Sequence, residues 1–247
     1  MTNTHVVIPF SGGMDSSVLV HLALSEGYFV HVLSFNYGQR HSQELDCAAK
    51  QIQKLKSLYP NLKSYKTIDV SYIKDIAPTS SLTNNDIETP DVRKIKGEAQ
   101  PKSYVPNRNM MFLSIAAAWA ESIGASEVWH GAAQADSLAG YWDGSPEFLE
   151  SINNVLSLNR EKRIEIKAPL IELSKAEIIK LGVKNKVDFG LTYTCYSGEE
   201  KPDAYSASSS LRLQGFMEAG YKDPLQYKQQ DQLEEVYSKR GCKEIIL

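Results

Sequence analysis

Cysteine is scarce in this chain: Cys47, Cys195 and Cys242 are the 3 among 247 residues. Their spacing fits no local metal motif and outlines no disulfide framework, which excludes a small disulfide-stapled fold and points to reduced thiols in a cytoplasmic setting. Long apolar runs are missing too. None approaches the roughly 18–20 residues that span a bilayer, so no membrane partner is expected. MTNTHVV at the start has no basic stretch leading into an apolar one, so a secretory leader is not expected. Charge of either sign is not in excess: 27 Lys+Arg against 30 Asp+Glu give a formal net charge of −3. Without a basic patch, direct nucleic-acid binding is disfavoured. There is no internal repeat, and the G-x4-GK[ST] string of the common phosphate-binding loop does not occur.

What remains is an ordinary soluble composition, 42% hydrophobic and 23% charged. The length suits one α/β domain with a small appendage. Residues 5–10, 28–37, 64–70, 126–133 and 163–170 read as strands. Helical periodicity fills the intervals: after the loop ending near residue 17 up to Gly27, and across 42–59, 107–124, 145–159 and 174–183. On the second of these, Leu45, Cys47, Ala48, Ile52 and Leu55 make the apolar stripe. Ser174 with Glu177 forms a capping box for the last. Alternating strands and helices predict a mostly parallel sheet with helices on both faces. Residues 75–104 are polar and proline-bearing and read as a mobile insertion or lid. The final 50 or so residues read as irregular, then helical.

The chemistry starts at SGGMDSS, residues 11–17, directly behind the first strand. Gly12 and Gly13 let backbone N–H groups approach an anion. Asp15, Ser16 and Ser17 fall in the first helical turn, where unpaired N–H groups attract phosphate, and the hydroxyls of Ser11, Ser16 and Ser17 add donors. Asp15 would repel phosphates unless it faces a metal ion, and a magnesium ion between Asp15 and a polyphosphate resolves the conflict. A plain serine-capped turn is the other reading of the same string.

SGGMDSS resembles the pyrophosphate-binding loop of the N-type ATP pyrophosphatases, which cleave ATP between the α and β phosphates. Further strings narrow the likeness: FNYGQRHSQEL (35–45), VPNRNMMFLSIAAAWAESIGA (105–125), GYWDGSPEFL (140–149), PLIELSKAEIIKLGV (169–183), LTYTCYSG (191–198) and LRLQGF (211–216). In this order they resemble the QueC family of queuosine-precursor synthesis over nearly the whole chain. The resemblance implies an adenine-nucleotide α-hydrolase-like, Rossmann-like α/β fold with a five-stranded parallel sheet. It implies a PP-loop ATP pyrophosphatase domain over 1–190 and a C-terminal region over 191–247. It also implies a homodimer and an AMP-forming ligase that converts 7-carboxy-7-deazaguanine and ammonia to 7-cyano-7-deazaguanine with ATP and Mg2+.

Candidate site residues follow. Arg108, just before a helix, suits phosphate or a surface ion pair. Lys175 lies in the first turn of its helix, where the macrodipole disfavours a cation unless a phosphate compensates; the resemblance makes it a nucleotide contact, the alternative being a solvated lysine. Phe35 borders the nucleotide side by the same resemblance. Tyr37, Gln39, Arg40 and His41 lie past the end of the second strand, where open α/β sheets bind ligands. Arg40 suits a carboxylate and His41 a hydrogen bond or proton transfer, although His41 also suits packing and capping. Asp136 resembles the family's acidic residue at the substrate edge. Glu147 is a candidate purine-edge acceptor or a cap for its own helix. Phe148 is a candidate stacking platform, though its place on the helix favours the core. His5, His21 and His31 read as framework.

Two departures stand out. The family usually carries four zinc-binding cysteines near the C-terminus. Cys195 matches the first, but the other three fall on Asp203, Ser206 and Ser209, so no structural zinc is expected. The family typically reads YPDCRPEF where this chain has YWDGSPEF, so Trp142, Gly144 and Ser145 replace proline, cysteine and arginine. The substitution leaves an alternative open: an adenylating enzyme that stops at the amide or passes the acyl group to another amine, even one on a protein, with Gly144 and Ser145 widening the path. A nucleotide-binding protein with weak catalysis is the third reading, against which the intact loop, Arg108 and Lys175 speak.

Overall fold

The computed structural model describes residues 4–38, 43–84, 86–87, 102–192, 201–205 and 207–246. Five strands, β1 (His5–Pro9), β2 (Phe29–Asn36), β3 (Leu62–Asp69), β4 (Glu127–Trp129) and β5 (Glu165–Lys167), form one sheet in the order β3-β2-β1-β4-β5. Every pairing is parallel. The chain runs outward from β1 to β3 and then crosses back to β4. This reversal opens a crevice at the C-terminal ends of β1 and β4, the place where such sheets bind ligands.

Alternation along the strands divides the interior in two. Val6 and Ile8 of β1 and Val30 and Val32 of β2 point to one face, where α1 (Met14–Ser25), α2 (Gln43–Leu58) and α7 (Lys175–Lys184) cover them. Val7, Leu33 and Phe35 point to the other, covered by α4 (Arg108–Ile123) and α6 (Pro146–Leu156). Successive strand side chains alternate faces, so two helical layers bury most residues of the central strands. α1 is buried on most of its surface because it is wedged between sheet and α7. Gly27, at φ 85°, turns the chain out of α1 as expected.

Strands β4 and β5 are shorter than their apolar runs suggest. Past Trp129 and Lys167 the chain turns while still buried, with Ala132, Ala133, Ala168 and Leu170 all in the core. An apolar run reports burial, not ladder pairing. The described ends of the 75–104 insertion are knit together after the short α3 (Ile73–Ile76): Ser81 N–H donates to the Lys102 carbonyl (2.9 Å) and Ser80 Oγ to the Ser103 carbonyl (3.1 Å). Ala77 and Leu82 join the core there. Residues 88–101 lie outside the described residues.

The C-terminal part adds α8 (Ala207–Ala219) and α9 (Gln230–Arg240), with α8 packed along α7. Its anchor is a fully buried ion pair. Arg212 donates to both carboxylate oxygens of Asp223, at 2.6 and 2.9 Å. It also donates to Thr192 Oγ1 (2.7 Å) and the Phe189 carbonyl (3.0 Å). The Tyr227 hydroxyl donates to Asp223 at 2.7 Å. The calls on Cys195 and Ser206 lie outside the described residues. Asp203 Oδ1 accepts the Tyr205 N–H (2.7 Å) in a local turn, and Ser209 is buried. Among the described residues no helix is long and apolar enough to cross a membrane.

Candidate active site

The SGGMDSS loop leaves β1 and enters α1 at the crevice. Gly12 sits at φ 79°, a left-handed conformation that glycine adopts without strain. Ser11 Oγ accepts the Gly13 N–H (3.1 Å) and lies 3.1 Å from Ser16 Oγ. Ser16 Oγ also contacts the Gly13 carbonyl at 3.2 Å. Ser17 points inward, with its hydroxyl 2.7 Å from both the Gly13 carbonyl and Gln51 Oε1. Gln51 Nε2 in turn donates to the carbonyls of Gly12 (2.9 Å) and Leu191 (3.1 Å). This buried amide thus ties the loop to α2 and to the start of the C-terminal part. It stands on the apolar face of α2, between Ala48 and Leu55, and a polar residue inside an apolar stripe was the signal for it.

Asp15 and Lys175 meet across the mouth of the loop. Lys175 Nζ lies 2.9 Å from Asp15 Oδ1 and 2.8 Å from Oδ2. Both are in the first turns of their helices, α1 and α7. The α7 start is fixed by the expected capping box, with Ser174 N–H donating to Glu177 Oε2 (2.8 Å) and Glu177 N–H to Ser174 Oγ (3.3 Å). Burial opposes the charge on Lys175, but the Asp15 carboxylate outweighs it and holds the ammonium above the ordinary lysine range.

Arg108 begins α4 on the far wall. Its guanidinium lies 5.4 Å from the centre of the Tyr37 ring and 3.4 Å from the Tyr37 hydroxyl. Asp136, in the short α5 (Gln134–Leu138), is within electrostatic reach of both cations. Its Oδ2 accepts the Ala133 N–H at 2.9 Å. Burial, then the charge on Asp15, raises its pKa; the Ala133 bond, Lys175 and Arg108 pull the other way. The fold therefore gathers Ser11, Gly12, Gly13, Asp15, Ser16, Arg108, Tyr37, Asp136 and Lys175 around one crevice.

Other candidates are placed differently. Phe35 is buried and stacks on Phe112, with centroids 4.0 Å apart and planes at 5°. Phe148 is core, edge-on to Trp142 at 5.2 Å, so it is not an open stacking platform. Glu147 is exposed in the first turn of α6, whose cap is Ser145, accepting the Phe148 N–H at 3.2 Å. Gln39, Arg40 and His41 lie outside the described residues. His5 and His31 pair away from the crevice, 2.8 Å apart, and His21 contacts the Asn185 carbonyl at 3.0 Å, both framework roles.

Two residues that the sequence reading passed over border the site. Asp143 is 2% exposed, and its Oδ1 has no hydrogen-bond partner among the described residues. Burial raises its pKa, with Arg108 opposing. His130, just past β4, is pushed down to about 4 by burial, its contact with the Asp143 carbonyl (3.4 Å) opposing and Arg108 adding to the shift. That carbonyl can only accept, so His130 Nε2 carries the proton. His130 closes a strand end where ligands gather, which is a signal legible in the sequence; nothing local sets Asp143 apart from a solvated turn aspartate. Those neighbours have local duties. A Cβ on Gly144 would lie 2.8 Å from Asp136 Cβ, so the glycine lets the 142–144 turn press against Asp136. Trp142 Nε1 donates to Tyr104 Oη at 2.8 Å.

The family model described as Queuosine biosynthesis protein QueC matches residues 5–220. The chain belongs to the QueC family. Relatives in this family include the 7-cyano-7-deazaguanine synthase of Thermoplasma volcanium, 43% identical over 96% of this chain and 95% of the relative. Those of Pseudoalteromonas atlantica and Oceanobacillus iheyensis are each 40% identical, over 90% and 92% of this chain and 98% and 100% of theirs. A 4-thiouridine synthetase solved with RNA and bound ATP shares the fold of this QueC chain. It has a TM-score of 0.50 and 17% identity, covering 96% of this chain and 53% of that one.

Proposed function

We propose that the protein is an ATP-dependent, AMP-forming ligase that makes 7-cyano-7-deazaguanine from 7-carboxy-7-deazaguanine and ammonia. The observation that carries the reading is the Asp15–Lys175 pair at the mouth of the SGGMDSS loop, in a chain whose full-length relatives are named for that product. A carboxylate is a poor electrophile, and adenylation supplies the leaving group it lacks. The carboxylate oxygen attacks the α phosphorus and pyrophosphate departs. Ammonia then displaces AMP to give the amide. A second ATP adenylates the amide oxygen, and loss of AMP with a proton leaves the nitrile.

The N–H groups at the start of α1, with Lys175 and Arg108, stabilise the departing pyrophosphate in this reading. Asp136, half-buried among charges, accepts from the guanine-like N–H edge. Arg40 and His41 remain candidates for the substrate carboxylate and a proton. The donor set fits magnesium in one way. Among the described residues no group of three or more acidic, His or Cys side chains could hold a metal alone, but Mg2+ commonly takes one or two carboxylates and completes its shell with phosphates and water. Asp15 is the carboxylate available, and the ion, when bound, neutralises phosphate charge. Because Gly144 and Ser145 are used in packing and capping, they give no support to a widened path for a larger amine. A cytoplasmic homodimer completes the proposal.

The test is incubation with the acid, isotopically labelled ATP and magnesium, with and without an ammonium salt, read by mass spectrometry. Nitrile, AMP and pyrophosphate are expected when ammonium is present. ADP and phosphate as the only nucleotide products, or no consumption of the acid, would sink the assignment; a stalled amide or a mass gain on a protein would select the alternative acyl transfer.

A further inference from the structure

Lys175 reaches Asp15 because of a glycine on another helix. Gly215, in the interior of α8, faces the Lys175 stem. A Cβ built there would lie 2.7 Å from Lys175 Cγ, 3.1 Å from Lys175 Cβ and 3.1 Å from Ile179 Cδ1. The first distance is closer than real Cβ atoms come. What it meets is the root of the lysine and not its free end, so bending the tip of the chain does not relieve it.

The surrounding structure leaves little room for α8 to retreat. One turn before Gly215, Arg212 is 1% exposed and held by Asp223, Thr192 and the Phe189 carbonyl. One residue after it, Phe216 is fully buried, edge-on to Phe189 at 5.2 Å. On the other side, α7 is held by its capping box and by Gly182, where a Cβ would lie 2.4 Å from Phe189 Cζ and 2.8 Å from Val18 Cγ2. Both helices are fixed, so the lysine stem is the part that must yield. Glycine inside a helix costs stability relative to alanine, about 0.5–1 kcal/mol, in the absence of a packing reason. Here the reason is the lysine.

We propose that Gly215 is a positioning residue for the reaction: α8 provides the back wall against which Lys175 is aimed at the phosphate loop. The C-terminal part thereby acts on the nucleotide site without touching the nucleotide. Arg212 serves the same end by fixing α8 through Asp223, Thr192 and the Phe189 carbonyl. The proposal rests on the reading of Lys175 as a nucleotide contact.

A double-variant cycle tests it on the full chain, with thermal stability and steady-state pyrophosphate release measured for wild type, Lys175→Ala, Gly215→Ala and the double variant. Gly215→Ala is expected to lower kcat/KM for ATP about tenfold. In the Lys175→Ala background the same change is expected to cost less than about twofold, because the lysine it displaces is gone. Tm gives an independent reading: the loss caused by Gly215→Ala should shrink when Lys175 is alanine, since Cγ, the atom in the way, is absent. Should Gly215→Ala alone fold poorly, Ile179→Val removes the second contact and leaves the lysine contact as the one tested. Equal losses in both backgrounds, or an unaffected Gly215→Ala enzyme beside an impaired Lys175→Ala enzyme, would overturn the positioning role. A fully active Lys175→Ala enzyme would instead remove the lysine from the nucleotide site.

Discussion

The Lys175 ammonium holds both oxygens of the Asp15 carboxylate, 2.8 and 2.9 Å away, across a sequence separation of 160 residues. Each group offsets an awkward neighbour. A cation at the start of α7 is disfavoured by the helix dipole, and an isolated carboxylate beside a phosphate loop would repel its ligand. In the proposed reaction the phosphates of ATP would compete for the lysine, leaving Asp15 as the carboxylate that would hold magnesium. Asp15→Ala is therefore expected to slow adenylation at least about tenfold, roughly 1.4 kcal/mol of transition-state stabilisation. Lys175→Ala should raise KM for ATP as well. Single-turnover pyrophosphate release checks both, and an unchanged rate for Asp15→Ala would remove it from the proposed site.

How much of this was legible beforehand follows from the range of each interaction. The strands and the loop are local: HVVIPF and VHVLSF are mostly apolar runs, as expected of strands buried on both faces, and SGGMDSS ends the first of them. The capping box at Ser174 was equally visible. The contact between Asp15 and Lys175 was not, because only the crossing from β3 to β4, which seats β4 beside β1, and the packing of α1 on α7 bring them together. Gln51 was hidden for a different reason. Its place in the apolar stripe of α2 marks it as buried, but its three partners, Gly12, Ser17 and Leu191, come from distant segments that nothing local names.

The Arg212–Asp223 pair is the expected anchor of the C-terminal part in place of a zinc site. Removing one partner of a buried, hydrogen-bonded pair strands the other charge, at a cost of about 3–5 kcal/mol. Arg212→Leu should lower the unfolding free energy by that amount in urea titrations. A chelator, in contrast, should leave Tm unchanged, and metal analysis of protein purified without added zinc should find no stoichiometric zinc. One zinc per chain, lost with Cys195→Ala, would contradict this, as would an Arg212→Leu protein as stable as wild type.

Acid should destabilise the fold in a defined window. His31 is pushed down to about 4, first by burial and then by the charges of His5 and Lys63. His130 is also brought to about 4, by burial first. In the unfolded chain both titrate near 6.5, so between about 6.5 and 4 the unfolded state binds more protons than the folded one. Stability is thus complete above about pH 6.5 and declines as pH falls toward 4. Urea midpoints across that range should show the decline, and His31→Asn should make it shallower. A flat profile would mean that the histidines charge freely in the folded protein.

Gly144 offers the sharpest test of the altered YWDGSPEF turn. The family typically carries cysteine here, yet in this chain a Cβ would come 2.8 Å from Asp136 Cβ. The turn is tied to α5 by the Tyr141 N–H, which donates to the Asp136 carbonyl, and is closed on itself by the Gly144 N–H, which donates to the Tyr141 carbonyl, each at 3.1 Å. Restoring the family residue with Gly144→Cys must therefore push Asp136 away or lift the turn. Overpacking of this kind costs about 1–3 kcal/mol of stability. The displacement bears on Asp136, not on the loop or Lys175, so the two substrates should respond differently. KM for the deazaguanine acid should rise about tenfold while KM for ATP stays within about twofold of wild type. Gly144→Ala, with the same Cβ and no sulfur, should reproduce the effect and exclude thiol chemistry as its cause. Equal changes in both constants would point to general unfolding of the crevice, and an unchanged KM for the acid would remove Asp136 from the substrate edge.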